Sequence, residues 1–290
     1  MTIRDSTVRF AQRVWRVFRW VLAGVLIILL LLMWFEESLV FVPSPYPVGD
    51  WRPVGLDVED AEFAAADGTR LHGWYVRHPQ PRAIVLFCHG NAGNVTHRAW
   101  MLSDLHRVAQ VSALVFDYRG YGKSEGQPTE AGVIADARAA RAWLAEREGI
   151  PEGEIVLMGE SLGGSVAVEL AATDGARALV LENTFTSVPD VAAHHYPVLP
   201  VRWLMRTRLS ALSKIGRYRG PLLQVHGTAD TIVPYSMGQK LFEAANEPKE
   251  FISLPGADHN DGLPNEYYVR LGEFLAALGS GDTRSATSSQ

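Results

Sequence analysis

Residues 155–164 read IVLMGESLGG. A short apolar run, typical of a buried strand, leads directly into the pattern G-x-S-x-G, and an alanine-rich stretch typical of a helix follows it. A serine on such a tight strand-to-helix turn has a strained backbone, and only small residues fit at positions 159 and 163 beside it. The turn would lift the Ser161 hydroxyl clear of the sheet at the positive end of the helix. The stretch therefore predicts a nucleophilic serine at position 161.

Apolar runs alternate with helix-like stretches on both sides of this turn. The predicted strands are Leu71–Val76, Ala83–Cys88, Ala113–Asp117, Ile155–Met158, Ala178–Leu181, Leu222–Val225 and Phe251–Leu254. The predicted helices are 97–109, 130–147, 162–172, 235–245 and 265–277. This alternation is typical of an α/β fold with a mostly parallel sheet and helices on both faces.

A serine hydroxyl needs a base to become nucleophilic, and the base needs an acid that fixes its tautomer. The loop after strand Leu222–Val225 contains Asp230, and the loop after strand Phe251–Leu254 contains His259. Serine, aspartate and histidine in this chain order form a known arrangement of nucleophile, acid and base. We therefore predict that Asp230 is the acid and His259 the base.

Other residues compete for these roles. Glu182, at the end of the preceding strand, is the alternative acid, whereas Asp258 is expected only to shape the loop next to the base. His89 and His226 are each followed by glycine and are expected to bind loop backbone. The remaining histidines lie early in the chain, on a helix or in an inserted segment.

A tetrahedral intermediate needs two backbone N–H groups that converge on its negatively charged oxygen. One would belong to Leu162, immediately after the serine. The second is expected in the loop HGNAGN, residues 89–94, where we predict Asn91. The alternative is that this Gly- and Asn-rich loop is only a turn.

The N-terminal segment differs from the rest of the chain. Residues 1–19 hold five arginines against one acidic residue, and residues 20–35 read WVLAGVLIILLLLMWF. A basic flank before an apolar run and two glutamates after it predict a transmembrane signal anchor, with the N-terminus in the cytoplasm and the following domain on the extracytoplasmic side. The run lacks a small-residue cleavage site and a polar face, which disfavours a removed signal peptide and a buried core helix. Residues 36–53 hold four prolines and are predicted to form a stiff tether.

Composition excludes several classes of function. The 290 residues carry a formal charge of −5 and show no basic face, so nucleic acid is not an expected partner. Cys88 is the single cysteine, and no Cys/His cluster is present, so we expect no metal and no cofactor. Arg119 lacks the spacing of a phosphate-binding loop and is predicted to be structural. One domain is expected at 54–278, followed by a disordered Gly/Ser/Thr-rich tail at 279–290.

Between the predicted strands that end near Glu182 and begin at Leu222 lies a segment of 38 residues, 183–220, which we interpret as a small cap over the site. It is apolar and also carries six basic residues against one acidic residue. Such a segment could attract anionic lipid headgroups. The alternative is an ordinary cap helix with a solvated basic face.

Five motifs together resemble those of a known family. HGNAGN, DYRGYGKSEG, GESLGG, ENTFTS and HGTADTIVP stand in the order found in membrane-anchored serine hydrolases of the α/β-hydrolase-domain type, which include lipases, lysophospholipases and protein depalmitoylases. The resemblance covers about 40–278 and the anchor. It implies the α/β-hydrolase fold, with nucleophile, acid and base at Ser161, Asp230 and His259.

The resemblance and the site residues together predict a membrane-anchored hydrolase that cleaves acyl esters or thioesters. The anchor would supply the contact with the membrane, and the basic cap is a candidate for a second contact. Two other functions stay open at this point: a serine peptidase of related fold, and a catalytically inactive scaffold held at the membrane.

Overall fold

The computed structural model describes residues 3–280, with the side chains of residues 10 and 12–278. The helices in this range are α1 (Ile3–Trp34), α2 (Glu36–Val40), α3 (Ala99–Asp104), α4 (Glu130–Glu148), α5 (Leu162–Asp174), α6 (Val188–His195), α7 (Val201–Leu204), α8 (Leu212–Ile215), α9 (Tyr235–Ala244) and α10 (Asn265–Ser280). The strands are β1 (Val42–Pro43), β2 (Glu59–Ala64), β3 (Arg70–Val76), β4 (Ile84–Cys88), β5 (Ala92–Gly93), β6 (Ser112–Asp117), β7 (Val156–Glu160), β8 (Leu179–Glu182), β9 (Leu222–Gly227) and β10 (Lys249–Leu254). Helix α10 includes the first two residues of the predicted tail, and residues 281–290 of that tail lie outside the described residues.

Eight strands form one sheet in the order β10-β9-β8-β7-β4-β6-β3-β2. Strands β10 to β6 in this order pair in parallel, and only β3 and β2 are antiparallel to their neighbours. The predicted mostly parallel α/β fold is therefore confirmed. Because the carboxyl ends of parallel strands share one edge, the ends of β7, β9 and β10 lie near one another.

The sheet separates two hydrophobic cores. Side chains alternate across each strand, so Leu86 and Cys88 of β4 belong to one core while Val85 and Phe87 belong to the other. Both faces of the central strands are covered, which explains their nearly continuous apolar sequences.

Edge strand β2 and the interrupted third helix differ from the predicted elements. Strand β2 reads EDAEFA, and its three acidic residues mask the alternation of apolar and polar residues that would predict a strand. Charged residues on an edge strand also disfavour pairing with the edge of another sheet. The helix predicted at 97–109 consists of a 3₁₀ turn at Val95–Arg98, then α3, then a π-helical turn at Leu105–Ala109.

Helix α1 is longer than the predicted anchor. Its segment Gln12–Trp34 is long and apolar enough to cross a membrane, and none of the most apolar window is buried within the protein. Twenty-three residues rise about 35 Å, which exceeds the ~30 Å hydrocarbon core of a bilayer. The exposure of these side chains excludes the buried core helix.

The segment predicted as a tether is packed against the domain. Strand β1 pairs in parallel with β5, and Phe41 is buried in the core. The Asn94 side chain donates hydrogen bonds to the carbonyl oxygens of Ser44 and Val48 at 2.9 and 2.8 Å. Residues 36–48 therefore follow the surface of the domain rather than forming a free spacer.

Three short helices, α6, α7 and α8, lie between β8 and β9, in the segment predicted as the cap. Ser187 caps the N-terminus of helix α6, and its side-chain oxygen accepts a hydrogen bond from the N–H of Asp190 at 3.2 Å. Arg206 and Thr207, which follow α7, bind Glu36 just after α1.

Candidate active site

Ser161 occupies the sharp turn between β7 and α5. Its φ of +52° lies in the left-handed region, which is unfavourable for a residue with a side chain. A Cβ on Gly159 would come within 2.4 Å of the Gly163 carbonyl oxygen, and a Cβ on Gly163 within 2.0 Å of the Cys88 carbonyl oxygen. The predicted requirement for small residues is met, and at Gly163 it arises from contact with β4.

The structure brings Ser161, His259 and Asp230 into one hydrogen-bonded chain. The Nε2 atom of His259 lies 3.1 Å from Ser161 Oγ, and its Nδ1 atom lies 2.7 Å from Asp230 Oδ2. All three residues are buried. A carboxylate only accepts, so His259 carries its proton on Nδ1 and presents an unprotonated Nε2 to the serine.

Asp230 is held from both sides. Its Oδ1 atom accepts hydrogen bonds from the backbone N–H groups of Ile232 and Val233 at 2.9 and 2.6 Å. Burial opposes ionisation of Asp230, but hydrogen bonds from His226 and His259 outweigh burial and hold its pKa well below the ordinary value. Asp230 is therefore an anion at neutral pH.

His226 has a role that the sequence did not indicate. As predicted it binds loop backbone, donating from Nε2 to the Val233 carbonyl oxygen at 3.0 Å. The same nitrogen lies 3.2 Å from Asp230 Oδ2. His226 thus supports the carboxylate that faces His259.

His89 and Asp258 also bind as predicted. The Nδ1 atom of His89 donates to the Gly90 carbonyl oxygen at 2.7 Å, and burial lowers the pKa of His89 to about 3. Asp258 Oδ1 accepts the backbone N–H groups of Thr231 and His259, each at 2.7 Å. Asp258 therefore fixes the loop that carries the base.

Glu182, the alternative acid, has a different partner. Its carboxyl accepts a hydrogen bond from the Tyr267 hydroxyl at 2.6 Å. Burial raises the pKa of Glu182 to about 8, so the group is mostly protonated at neutral pH. A neutral carboxyl bound to Tyr267 is poorly suited to stabilise an imidazolium.

Asn91 and Leu162 line the same cavity as Ser161. The Asn91 side chain donates a hydrogen bond to the Val40 carbonyl oxygen at 3.1 Å. The backbone carbonyl oxygen of Asn91 accepts hydrogen bonds from the N–H of Val42 at 3.0 Å and the hydroxyl of Tyr121 at 2.7 Å. The loop after β4 is therefore held by the segment that follows helix α1.

The cavity at Ser161 has a volume of about 450 Å³ and a mainly apolar lining. The nucleophile turn, the cap and the loop after β9 contribute to it, and so does the end of helix α1. The lining residues from α1 and the segment after it are Leu29, Leu32, Met33, Glu36, Leu39 and Val40.

A second cavity, of about 400 Å³, is more polar than the cavity at Ser161. Its walls include His259, Glu182, Arg98 and Glu160. Arg98 Nε lies 2.9 Å from Glu160 Oε2, so this cavity contains a paired rather than a free cation. Ser161 thus lines an apolar cavity, and His259 lines a polar one.

Arg119 is structural, as predicted. Its guanidinium donates to Asp136 Oδ1 at 2.7 Å and to Asp67 Oδ2 at 2.8 Å. Within residues 3–280, no group of three or more His, Cys, Asp or Glu side chains is arranged to hold a metal ion. The Cys88 thiol is buried, which raises its pKa to about 12.

Among the residues that the structure describes, three of the six basic residues of the cap form ion pairs, and two of these pairs are with acids outside the segment 183–220. Arg202 contacts Asp190 at 2.9 Å, and Arg206 lies 3.6 Å from Glu36. Lys214 forms an ion pair with Glu169. The charge excess that suggested an anionic-lipid surface is therefore smaller than a count along the segment indicates.

Comparison with known proteins agrees with this architecture. The family profile described as "alpha/beta hydrolase fold" matches residues 83–210. The alpha/beta hydrolase domain-containing protein WAV2 of Arabidopsis thaliana is 34% identical over 80% of this chain and 83% of its own length. The chain belongs to the α/β-hydrolase family.

Other members of the family are similar over comparable lengths. An uncharacterized protein of Mycobacterium tuberculosis is 41% identical over 78% of this chain and 81% of its own. The solved structure of an esterase of Pyrococcus furiosus superposes with a TM-score of 0.65 at 23% identity, over 82% of this chain and 98% of the esterase. This likeness supports the α/β-hydrolase fold.

Proposed function

We propose that this α/β hydrolase is a membrane-anchored serine hydrolase that cleaves ester or thioester bonds of acyl substrates through an acyl-enzyme intermediate. The observation that carries the proposal is the chain Asp230–His259–Ser161, whose nucleophile faces an apolar cavity. In acylation, Ser161 Oγ bonds to the carbonyl carbon while its proton passes to His259 Nε2. The Asp230 carboxylate stabilises the imidazolium that forms.

The oxygen of the tetrahedral intermediate would accept hydrogen bonds from the backbone N–H groups of Leu162 and Asn91. His259 then gives its proton to the departing alkoxide or thiolate, and the bond to the acyl carbon breaks. Water repeats the sequence on the acyl-enzyme, so that Ser161 is regenerated and a carboxylic acid leaves.

The two cavities give the substrate an orientation. The acyl chain would occupy the apolar cavity that Ser161 lines, and the alcohol or thiol part would lie in the polar cavity that His259 lines. This arrangement places the leaving oxygen or sulfur beside the proton that His259 delivers.

Helix α1 is proposed to anchor the enzyme, with the catalytic domain on the extracytoplasmic side. The candidate span Gln12–Trp34 is long enough to cross a bilayer, and the five arginines before the uncharged run 20–35 support this direction. The exposed apolar side chains of the cap, chiefly Val198 and Trp203, support contact with the membrane surface.

A fluorophosphonate probe tests the proposal, because it reacts with activated serines. Wild-type protein should be labelled and should hydrolyse p-nitrophenyl esters, and Ser161→Ala should do neither. An unlabelled wild-type protein would favour the inactive scaffold. Labelling without ester hydrolysis, but with cleavage of a peptide substrate, would favour the peptidase.

A further inference from the structure

We infer that the last two turns of helix α1 form one wall of the acyl-chain site, and that the substrate is a long-chain acyl lipid that reaches Ser161 from the bilayer. The inference rests on the proposed function. Leu29, Leu32 and Met33 line the same cavity as Ser161. Their spacing of three and four residues puts them on one face of the helix, with Glu36 continuing that face.

A set of hydrogen bonds fixes this wall against the cap. The buried Glu36 carboxylate accepts the backbone N–H groups of Arg206 and Thr207 at 2.9 and 2.6 Å. The Arg206 guanidinium in turn donates to the Met33 carbonyl oxygen at 3.0 Å. Leaving the Glu36 charge unpaired would be costly at this burial, so the helix end and the cap are held together.

The wall lies at membrane depth when α1 spans a bilayer. The span ends at Trp34, and Leu29 precedes it by five residues, which is about 7.5 Å of helix rise. Leu29 and Met33 are partly covered by the protein, whereas Leu31, on the opposite face, is 51% exposed. One face of the same helix therefore faces the cavity and the other faces lipid.

The rim of the cavity is suited to a lipid surface. Tyr196 lines the cavity and is exposed, and the nearby cap residues Val198 and Trp203 are 90% and 88% exposed. Exposed aromatic and aliphatic residues beside a membrane span are typical of the interfacial region. An acyl chain could pass from the bilayer along α1 into the cavity without leaving apolar surroundings, and this continuity selects a bilayer lipid as the occupant.

The test uses the full chain reconstituted in phosphatidylcholine vesicles. Leu29→Trp and Met33→Trp each place an indole on the wall, and Leu31→Trp is the matched control on the lipid-facing side. Each acyl methylene kept out of an apolar site costs about fourfold in binding. With p-nitrophenyl palmitate in the vesicles, kcat/KM should fall by roughly tenfold or more in the wall variants and stay near wild type in the control.

Thermal unfolding reports whether the variants fold. The ratio of the palmitate rate to the rate with soluble p-nitrophenyl acetate should fall by roughly tenfold or more in the wall variants, because a long chain extends further along the cavity than an acetyl group. Met33→Ala, which only removes atoms, should also lower this ratio. Equal palmitate rates in the wall variants and the control would overturn the inference while leaving the proposed function intact. A wild-type protein that does not hydrolyse p-nitrophenyl acetate would instead overturn the proposed function.

The route from the bilayer has its own comparison. Wild-type protein should hydrolyse vesicle-embedded palmitate ester faster than the same ester supplied on albumin. A faster rate on the albumin-bound ester would show that the chain comes from solution.

Discussion

Replacing Asp230 with asparagine tests the proposed triad at the residue whose surroundings the structure specifies most fully. Oδ1 of Asp230 accepts N–H groups of Ile232 and Val233, while Oδ2 lies 2.7 Å from His259 Nδ1 and 3.2 Å from His226 Nε2. An asparagine at this position would orient its side-chain oxygen toward the N–H groups of Ile232 and Val233, because its NH₂ group cannot accept hydrogen bonds from them. The NH₂ group would then face His259 Nδ1.

This exchange changes the tautomer of the base. A donor facing Nδ1 requires an unprotonated Nδ1, so the imidazole proton moves to Nε2, the atom 3.1 Å from Ser161 Oγ. A protonated Nε2 cannot take the serine proton, although every side chain stays in place. The same change in another serine triad costs about 10⁴ in kcat, or roughly 5 kcal/mol of transition-state stabilisation. We expect a loss of this size.

The assay is kcat for p-nitrophenyl butyrate, with thermal unfolding as the check on folding. Glu182→Gln is the matched control, because Glu182 is mostly neutral and an amide oxygen can still accept from Tyr267. Its kcat should stay within about threefold of the wild-type value. A loss below about tenfold in a well-folded Asp230→Asn protein would refute the reasoning. A larger loss in Glu182→Gln would transfer the acid role to Glu182.

Three further outcomes are expected. Because burial raises the pKa of Glu182 from 4.5 to about 8, the folded protein keeps a proton that the unfolded chain releases between these values. The free energy of unfolding should therefore fall by roughly 1.4 kcal/mol for each unit that the pH rises in this range, and this contribution should level off above the pKa of the folded protein. Urea unfolding of Glu182→Gln at several pH values should lack this contribution. Gly163→Ala would place a methyl group 2.0 Å from the Cys88 carbonyl oxygen and should lower the free energy of unfolding by about 1–3 kcal/mol. Gly153→Ala, whose methyl group would meet open space, should have the same free energy of unfolding as wild type. Alkaline phosphatase fused to the C-terminus should be active in a bacterial host, and a fusion that is expressed but inactive would place the domain in the cytoplasm.

The local features of the site could be predicted from the sequence. Ser161 lies in a motif whose backbone geometry requires glycines at fixed offsets, and such a requirement is visible in one short stretch. Asp230 and His259 follow strands whose apolar runs are clear, and parallel pairing then brings the strand ends to one edge. These inferences need only short patterns and one topological rule.

The long-range contacts could not be predicted in this way. Glu36 was interpreted only as part of the negative flank of the span, yet its carboxylate binds Arg206 and Thr207, about 170 residues later in the chain. The prolines indicated only a stiff tether, because the pairing of β1 with β5 involves two residue pairs and leaves no periodic pattern. The contact of His226 with Asp230 depends on how the loop after β9 folds, which the sequence does not specify.

The packing of residues 36–48 decides where a soluble version of the enzyme has to begin. A version that starts at residue 54, the domain boundary indicated by the sequence, would lose the partners of Asn91 and Asn94 and leave the buried N–H of Thr207 without its acceptor. A version that starts at Glu36 would keep all of these and lose only the helix. Shortening the protein at Glu36 therefore separates the contribution of helix α1 from damage to the α/β-hydrolase domain, whereas shortening it at residue 54 changes both at once.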